Sequence, residues 1–185
     1  MVATILSIVA VGASVATACF VARQVILLRT QNQLQALIQL SATWNSSAMA
    51  ILRRRWADDE LRPHLSESDR NPDVLEPILE FLEEFAGLQK RKVLDDELVW
   101  DSTIGWHAAR YYFYNYDNGN VGRLREQWQD ATLYQNLSDL WPRYLKVEAT
   151  QRGIDEHQLT KQITETQKKF LAAERNAYRP SESPD

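Results

Sequence analysis

The chain opens on an unbroken apolar stretch: residues 2–22, 21 in all, carry no charged side chain. At ~1.5 Å per residue such a helix spans ~31 Å, about one hydrocarbon core. The pattern predicts a transmembrane helix over 1–23. Val25-Ile26-Leu27-Leu28 prolong the apolar run beyond Arg23, whose side chain can snorkel to lipid headgroups. A rival reading takes Ala16-Thr17-Ala18 before Cys19 as a cleavage site of a secreted or lipid-modified form. No Lys or Arg precedes the run, however, and it continues as Phe20-Val21-Ala22, so a retained helix is expected. Ala3, Ser7, Ala10, Ser14 and Thr17 share one helical face. Small residues at that spacing suit close helix approach in lipid, or simply reflect ordinary membrane-helix composition.

Beyond the anchor, residues 24–62 contain no Gly or Pro and predict a long amphipathic juxtamembrane helix. Leu34, Leu37, Ser41, Trp44, Ala48 and Ile51 recur at spacings of three and four, the seam of a coiled coil or of a docked helix. Pro63 ends it, and 63–71 reads as a polar linker. Residues 72–152 predict a small helical bundle. In its first helix Leu75, Ile78, Leu79, Phe81, Leu82, Phe85, Ala86 and Leu88 cover half the wheel, while Glu76, Glu80 and Glu83 lie opposite and are expected to face water. Asp95 begins an aromatic helix running to about Tyr116, and Asp117-Asn118-Gly119-Asn120 is a turn signal. Val121, Leu124 and Trp128 predict the inner face of a short helix. Leu133, Leu137, Leu140, Tyr144 and Val147 predict another, bent or broken at Pro142.

Gly153 reads as a C-cap. Asp155 and Gln158 have capping-box spacing, with Ile154 and Leu159 at the staple positions. A C-terminal amphipathic helix over 155–178 follows, with Leu159, Ile163, Thr166, Phe170, Ala173 and Ala177 as its stripe. Residues 179–185 read as a flexible tail. No segment alternates like a strand, so the expected fold class is all-α. Whether the last helix packs within the chain or between chains is left open by the pattern.

Chemistry-bearing motifs are sparse. Carboxylate-bridged metal sites in bundles use Glu-x-x-His pairs, and the sequence has none. Asn115–Gly122 fails as a calcium loop on its glycine position. No metal, no cofactor and no catalytic set is expected. The one histidine within a strong helix is His107. With Arg110 and Tyr111 on the same helix, and Glu84 at the edge of the apolar face before it, it outlines a candidate ligand pocket.

Charge narrows the partners. All 25 acidic residues follow residue 57, and only Arg23 and Arg29 of the 21 basic ones precede residue 30. The body of the chain is therefore acidic, and nucleic acid is not an expected partner. The single cysteine, Cys19, cannot form an intramolecular disulfide.

Phe81-Leu82-Glu83-Glu84-Phe85-Ala86, Val93-Leu94-Asp95-Asp96-Glu97-Leu98-Val99-Trp100, the aromatic helix through Tyr112, Leu124-Arg125 and Leu133-Tyr134 form one pattern over about residues 50–147. It resembles an uncharacterised bacterial family of membrane-anchored helical proteins carrying a domain of unknown function. The resemblance implies architecture and no activity. With Arg23 and Arg29 on the C-terminal side of the anchor, the expected location is the bacterial inner membrane, single-pass, with the C-terminal domain in the cytoplasm. The expected function is an interaction or scaffold module that contacts the lipid bilayer and binds a protein partner or itself as a homo-oligomer. Leu34, Leu37, Trp44, Ile51, Leu159, Ile163 and Phe170 are its candidate interface residues. A small-ligand sensor or enzyme using the Glu84/His107 pocket is the alternative.

Overall fold

Two polar interruptions set the helix boundaries at the start of the bundle. Ser46, in extended backbone, accepts the Met49 N–H through its side chain and starts a new helix where the sequence pattern predicts continuity. Ser102 does the same for Gly105, dividing the helix predicted from Asp95 to Tyr116. The computed structural model describes residues 2–62, 72–100 and 102–176, with the side chains of 2–13, 15, 16, 72 and 97 outside that description. Among the described residues the fold is all-helical. The helices are α1 (Val2–Trp44), α2 (Ser47–Glu60), α3 (Pro72–Lys90), α4 (Asp96–Trp100), α5 (Thr103–Asp117), α6 (Asn120–Gln127), α7 (Gln135–Arg152) and α8 (Glu156–Asn176).

The chain forms two units, residues 1–39 and 40–185. In the first, α1 is a single helix whose described side chains from Thr17 to Asn32 are all exposed. Among the described residues no helix is long and apolar enough to cross a membrane. Most side chains of the apolar segment lie outside the description, so the transmembrane reading of 1–23 rests on the sequence alone. The predicted linker 63–71 and tail 179–185 also lie outside the described residues.

In the second unit α2 packs on α8 and α3, while α7 packs on α3, α5 and α8. Leu159, Ile163 and Phe170 are buried there, so α8 spends its apolar stripe inside its own chain. That answers the question the sequence pattern left open. Leu159 and Ile163 share a core cluster with Ala109, Tyr144 and Ala149. Helix α7 runs through Pro142 without ending, and Gly153 (φ 66°) closes it in the left-handed conformation that glycine adopts without strain. Asp155 then accepts the Gln158 N–H at 2.7 Å as the N-cap of α8.

Several surface expectations are corrected. Glu83 does not face water: its two carboxylate oxygens each accept a backbone N–H, from Asn136 and Leu137, at 2.9 Å. It supplies from α3 the cap that the α7 N-terminus lacks locally, since Tyr134 offers none. Glu76 accepts from the Trp128 indole at 3.1 Å, and Trp128, expected on an inner face, is exposed. At the turn after α3, buried Gln89 donates to Asp96 at 2.6 Å and accepts from Arg143, which also bonds Asp96 at 3.1 Å. Burial raises the Asp96 pKa, but hydrogen bonds from Lys92 and Gln89 and the Arg143 charge outweigh it and hold the carboxyl below its ordinary value.

Candidate functional site

Helical spacing gathers the second unit's main buried charge cluster. On α5, His107 and Tyr111 stand four apart on one face. On α8, Thr166, Phe170 and Glu174 follow one another at intervals of four. Helix α2 adds Arg53 and Trp56, and the last residue of α1 adds Trp44. At the centre lies Glu174, 4% exposed. Its Oε1 bonds His107 Nε2 at 3.0 Å. Its Oε2 accepts from the Tyr111 hydroxyl at 2.8 Å and meets Arg53 Nη1 at 3.3 Å.

Aromatic rings enclose these groups. The Arg53 guanidinium lies 4.4 Å from the centroid of Trp44, which stacks on Phe81 at 5.6 Å. Tyr111 meets Trp56 at 4.5 Å and Phe170 edge-on at 5.3 Å. One turn away Arg110, also buried, donates to Thr166 Oγ1 at 3.3 and 3.2 Å and sits 5.2 Å from the rings of Trp106 and Phe170. Arg53 Nε and Arg110 Nε are buried and meet no acceptor among the described residues, as do the Trp44 and Trp56 indole N–H groups.

The electrostatics follow from burial and contact. Burial pushes the Glu174 pKa up, but hydrogen bonds from His107 and Tyr111 and the charges of His107 and Arg53 more than offset it, leaving the carboxyl below its ordinary value. Burial, then the charge and hydrogen bond of Glu174, drive the Tyr111 hydroxyl well above its ordinary range. Burial pulls the Arg110 pKa down. His107 Nδ1 lies 2.7 Å from the Thr103 carbonyl oxygen. Both ring nitrogens thus face acceptors, and both bonds are complete when the ring carries both protons.

Chemically this is a clamp. The carboxylate has three donors from α2 and α5, and a tyrosine held protonated is a poor base or nucleophile. Among the described residues no group of three or more His, Cys, Asp or Glu side chains gathers to hold a metal ion.

The structure redistributes the sequence-predicted residues. Glu84 is exposed on α3 and takes no part in this cluster. The carboxylate partner of His107 is Glu174. His107 and Tyr111 are in the cluster, and Arg110 faces α8 beside it. Of the interface candidates, Trp44, Leu159, Ile163 and Phe170 are buried in the bundle, Leu37 is half-buried, and Leu34 and Ile51 are exposed. Sequence reasoning missed Glu174 and Arg53. Arg53 opens the basic run Arg53-Arg54-Arg55, yet it is 6% exposed. The predicted α8 stripe runs on through Ala173, which is exposed, whereas the buried position four residues after Phe170 is Glu174. An acidic residue in phase with Ile163 and Phe170 is the signal that points to it.

No protein-family model matches this chain, and no curated protein and no solved structure matches it either.

Proposed function

We propose that this protein is a single-pass, membrane-anchored interaction module of the bacterial inner membrane, with its helical bundle in the cytoplasm, acting by binding itself or a protein partner. One observation carries the reading. Phe20, Val21, Val25, Ile26, Leu27 and Leu28 are between 49% and 65% exposed. At 100° per residue they point to every side of α1, so no single docked helix covers them. Apolar surface around a whole helix costs about 25 cal/mol per Å² in water, and a bilayer removes that cost. The uncharged run 2–22 continues the same surface, and Arg23 and Arg29 stand on the side where the positive-inside rule expects cytoplasm. The Glu174 carboxylate is already engaged by His107, Tyr111 and Arg53, which favours a structural role for this cluster over a catalytic one.

The test is fractionation of bacterial cells expressing the full chain, followed by alkaline carbonate extraction and protease treatment of spheroplasts. The expected result is a carbonate-resistant membrane protein whose bundle is shielded from external protease. Recovery in the soluble fraction, or digestion of the bundle from outside, overturns the reading.

A further inference from the structure

One exposed stripe of α1 has a second periodicity. Phe20, Gln24, Leu27, Gln31, Leu34 and Ile38 follow at spacings of four, three, four, three and four. That alternation is the two-position seam of a heptad repeat, and over 18 residue steps it runs ~27 Å. All six side chains are exposed; Phe20, Leu27, Leu34 and Ile38 are 62%, 57%, 43% and 68% accessible. This stripe shares Leu34 with the seam through Leu37 and Trp44 but continues through Ile38 rather than Leu37.

We propose that α1 pairs in parallel and in register with α1 of a second copy of this chain along Phe20–Gln24–Leu27–Gln31–Leu34–Ile38. This rests on the anchored, self-binding reading above and names the partner.

Three features select this occupant. First, the seam alternates apolar and polar layers. In a parallel, in-register pair each glutamine meets its own copy, and a primary amide can both donate to and accept from another. An antiparallel pair centred on the same stripe sets Gln24 against Leu34 and Gln31 against Leu27, leaving the amides without partners. Polar residues at such seam positions fix register at some cost in stability. Second, the charge pattern fits a copy of itself. Residues 30–52 contain no charged side chain, and Arg29 is on the face opposite the seam. Arg23, flanking the seam, falls opposite Leu28 of the other copy in the parallel heptad register, so no like charges meet. Third, two copies inserted in one bilayer with the same orientation present their α1 helices in parallel.

The test is disulfide cross-linking of the full chain in native membranes. In a Cys19→Ser background, single cysteines are placed on the seam (Leu34→Cys, Ile38→Cys) and off it (Arg29→Cys, Asn32→Cys). Facing seam positions in a parallel pair meet the Cα separation a disulfide needs, so about tenfold more dimer is expected at 34 and 38 than at 29 and 32. All four positions are exposed, so these variants keep the fold. Equal cross-linking on and off the seam, no dimer, or adducts of a different protein's mass overturns the pairing. Leu27→Glu combined with Leu34→Glu is expected to abolish the Ile38→Cys cross-link, and persistence of that cross-link also overturns it. The same samples are fractionated. Membrane-bound chain without seam dimer defeats the pairing and leaves the anchor standing, whereas soluble chain with seam dimer supports the pairing and defeats the anchor.

Discussion

The Tyr111 hydroxyl donates to Glu174 across 2.8 Å although 63 residues separate them in the chain. That bond joins α5 to α8, and the same carboxylate joins α2 through Arg53. One buried glutamate thus fixes the mutual placement of three helices.

Glu174→Ala leaves Arg53 buried without its counter-charge. The expected loss is about 3–5 kcal/mol, the usual result of removing one partner of a buried ion pair. Tyr111→Phe removes a single donor and is expected to cost about 1–2 kcal/mol. Urea denaturation of both variants checks the order. A Glu174 variant more stable than the Tyr111 variant contradicts the clamp.

Acid should weaken this clamp in a defined window. Glu174 has its pKa below the ordinary 4.5 in the folded chain, so the unfolded chain takes up the proton first as pH falls. The stabilisation is complete well above pH 4.5 and disappears as pH drops through that value and then through the lower folded one. Tyr111 works in the opposite sense. Its pKa is raised above the ordinary 10.0, so its contribution is complete below that pH and is lost as pH climbs beyond it. Denaturation midpoints of the native chain and Glu174→Gln, measured from pH 7 to pH 3, should converge at the acid end. A gap independent of pH excludes Glu174 ionisation as the cause.

Two glycines should respond in opposite directions. A Cβ on Gly105 lies 2.2 Å from the Val99 carbonyl oxygen, so Gly105→Ala must push α4 away from α5 and is expected to cost about 1–3 kcal/mol. At Gly122, inside α6, a Cβ meets nothing within 4 Å. Gly122→Ala is expected to stabilise by about 0.4–1 kcal/mol by lowering the entropy of the unfolded chain. Thermal melts of the pair decide it, and a tolerated Gly105→Ala rules out the close approach.

Glu83 caps a helix that is remote in sequence. Glu83→Gln keeps one acceptor oxygen, whereas Glu83→Ala removes both. The alanine variant is expected to lose about 1–2 kcal/mol and the glutamine variant less. Hydrogen exchange at the Asn136 and Leu137 amides should accelerate in the alanine variant. Unchanged exchange there argues against the cap.

Periodicity and local capping signals determined the all-helical class, the α3 stripe, the α8 stripe from Leu159 to Phe170, the stop at Gly153 and the start at Asp155, because each depends on residues within a few turns. Local capping overrides the apolar pattern at two places: Ser46 and Ser102 each start a new helix inside a stretch whose apolar pattern continues across the break. The composition of the aromatic helix is equally legible, with His107 and Tyr111 on it; their partner is not. Glu84 lies at the edge of the α3 apolar face, whereas Glu174 is in phase with Ile163 and Phe170 on α8; that phase marks Glu174 as inward-facing but does not name its partners. Only the packing of α8 against α2 and α5 buries Glu174 between Arg53, His107 and Tyr111 while leaving Glu84 in water. The same reason separates Arg53 from its neighbours and Glu83 from Glu80. A charge is tolerated inside when tertiary structure brings it a partner, and sequence spacing does not encode contacts between helices dozens of residues apart.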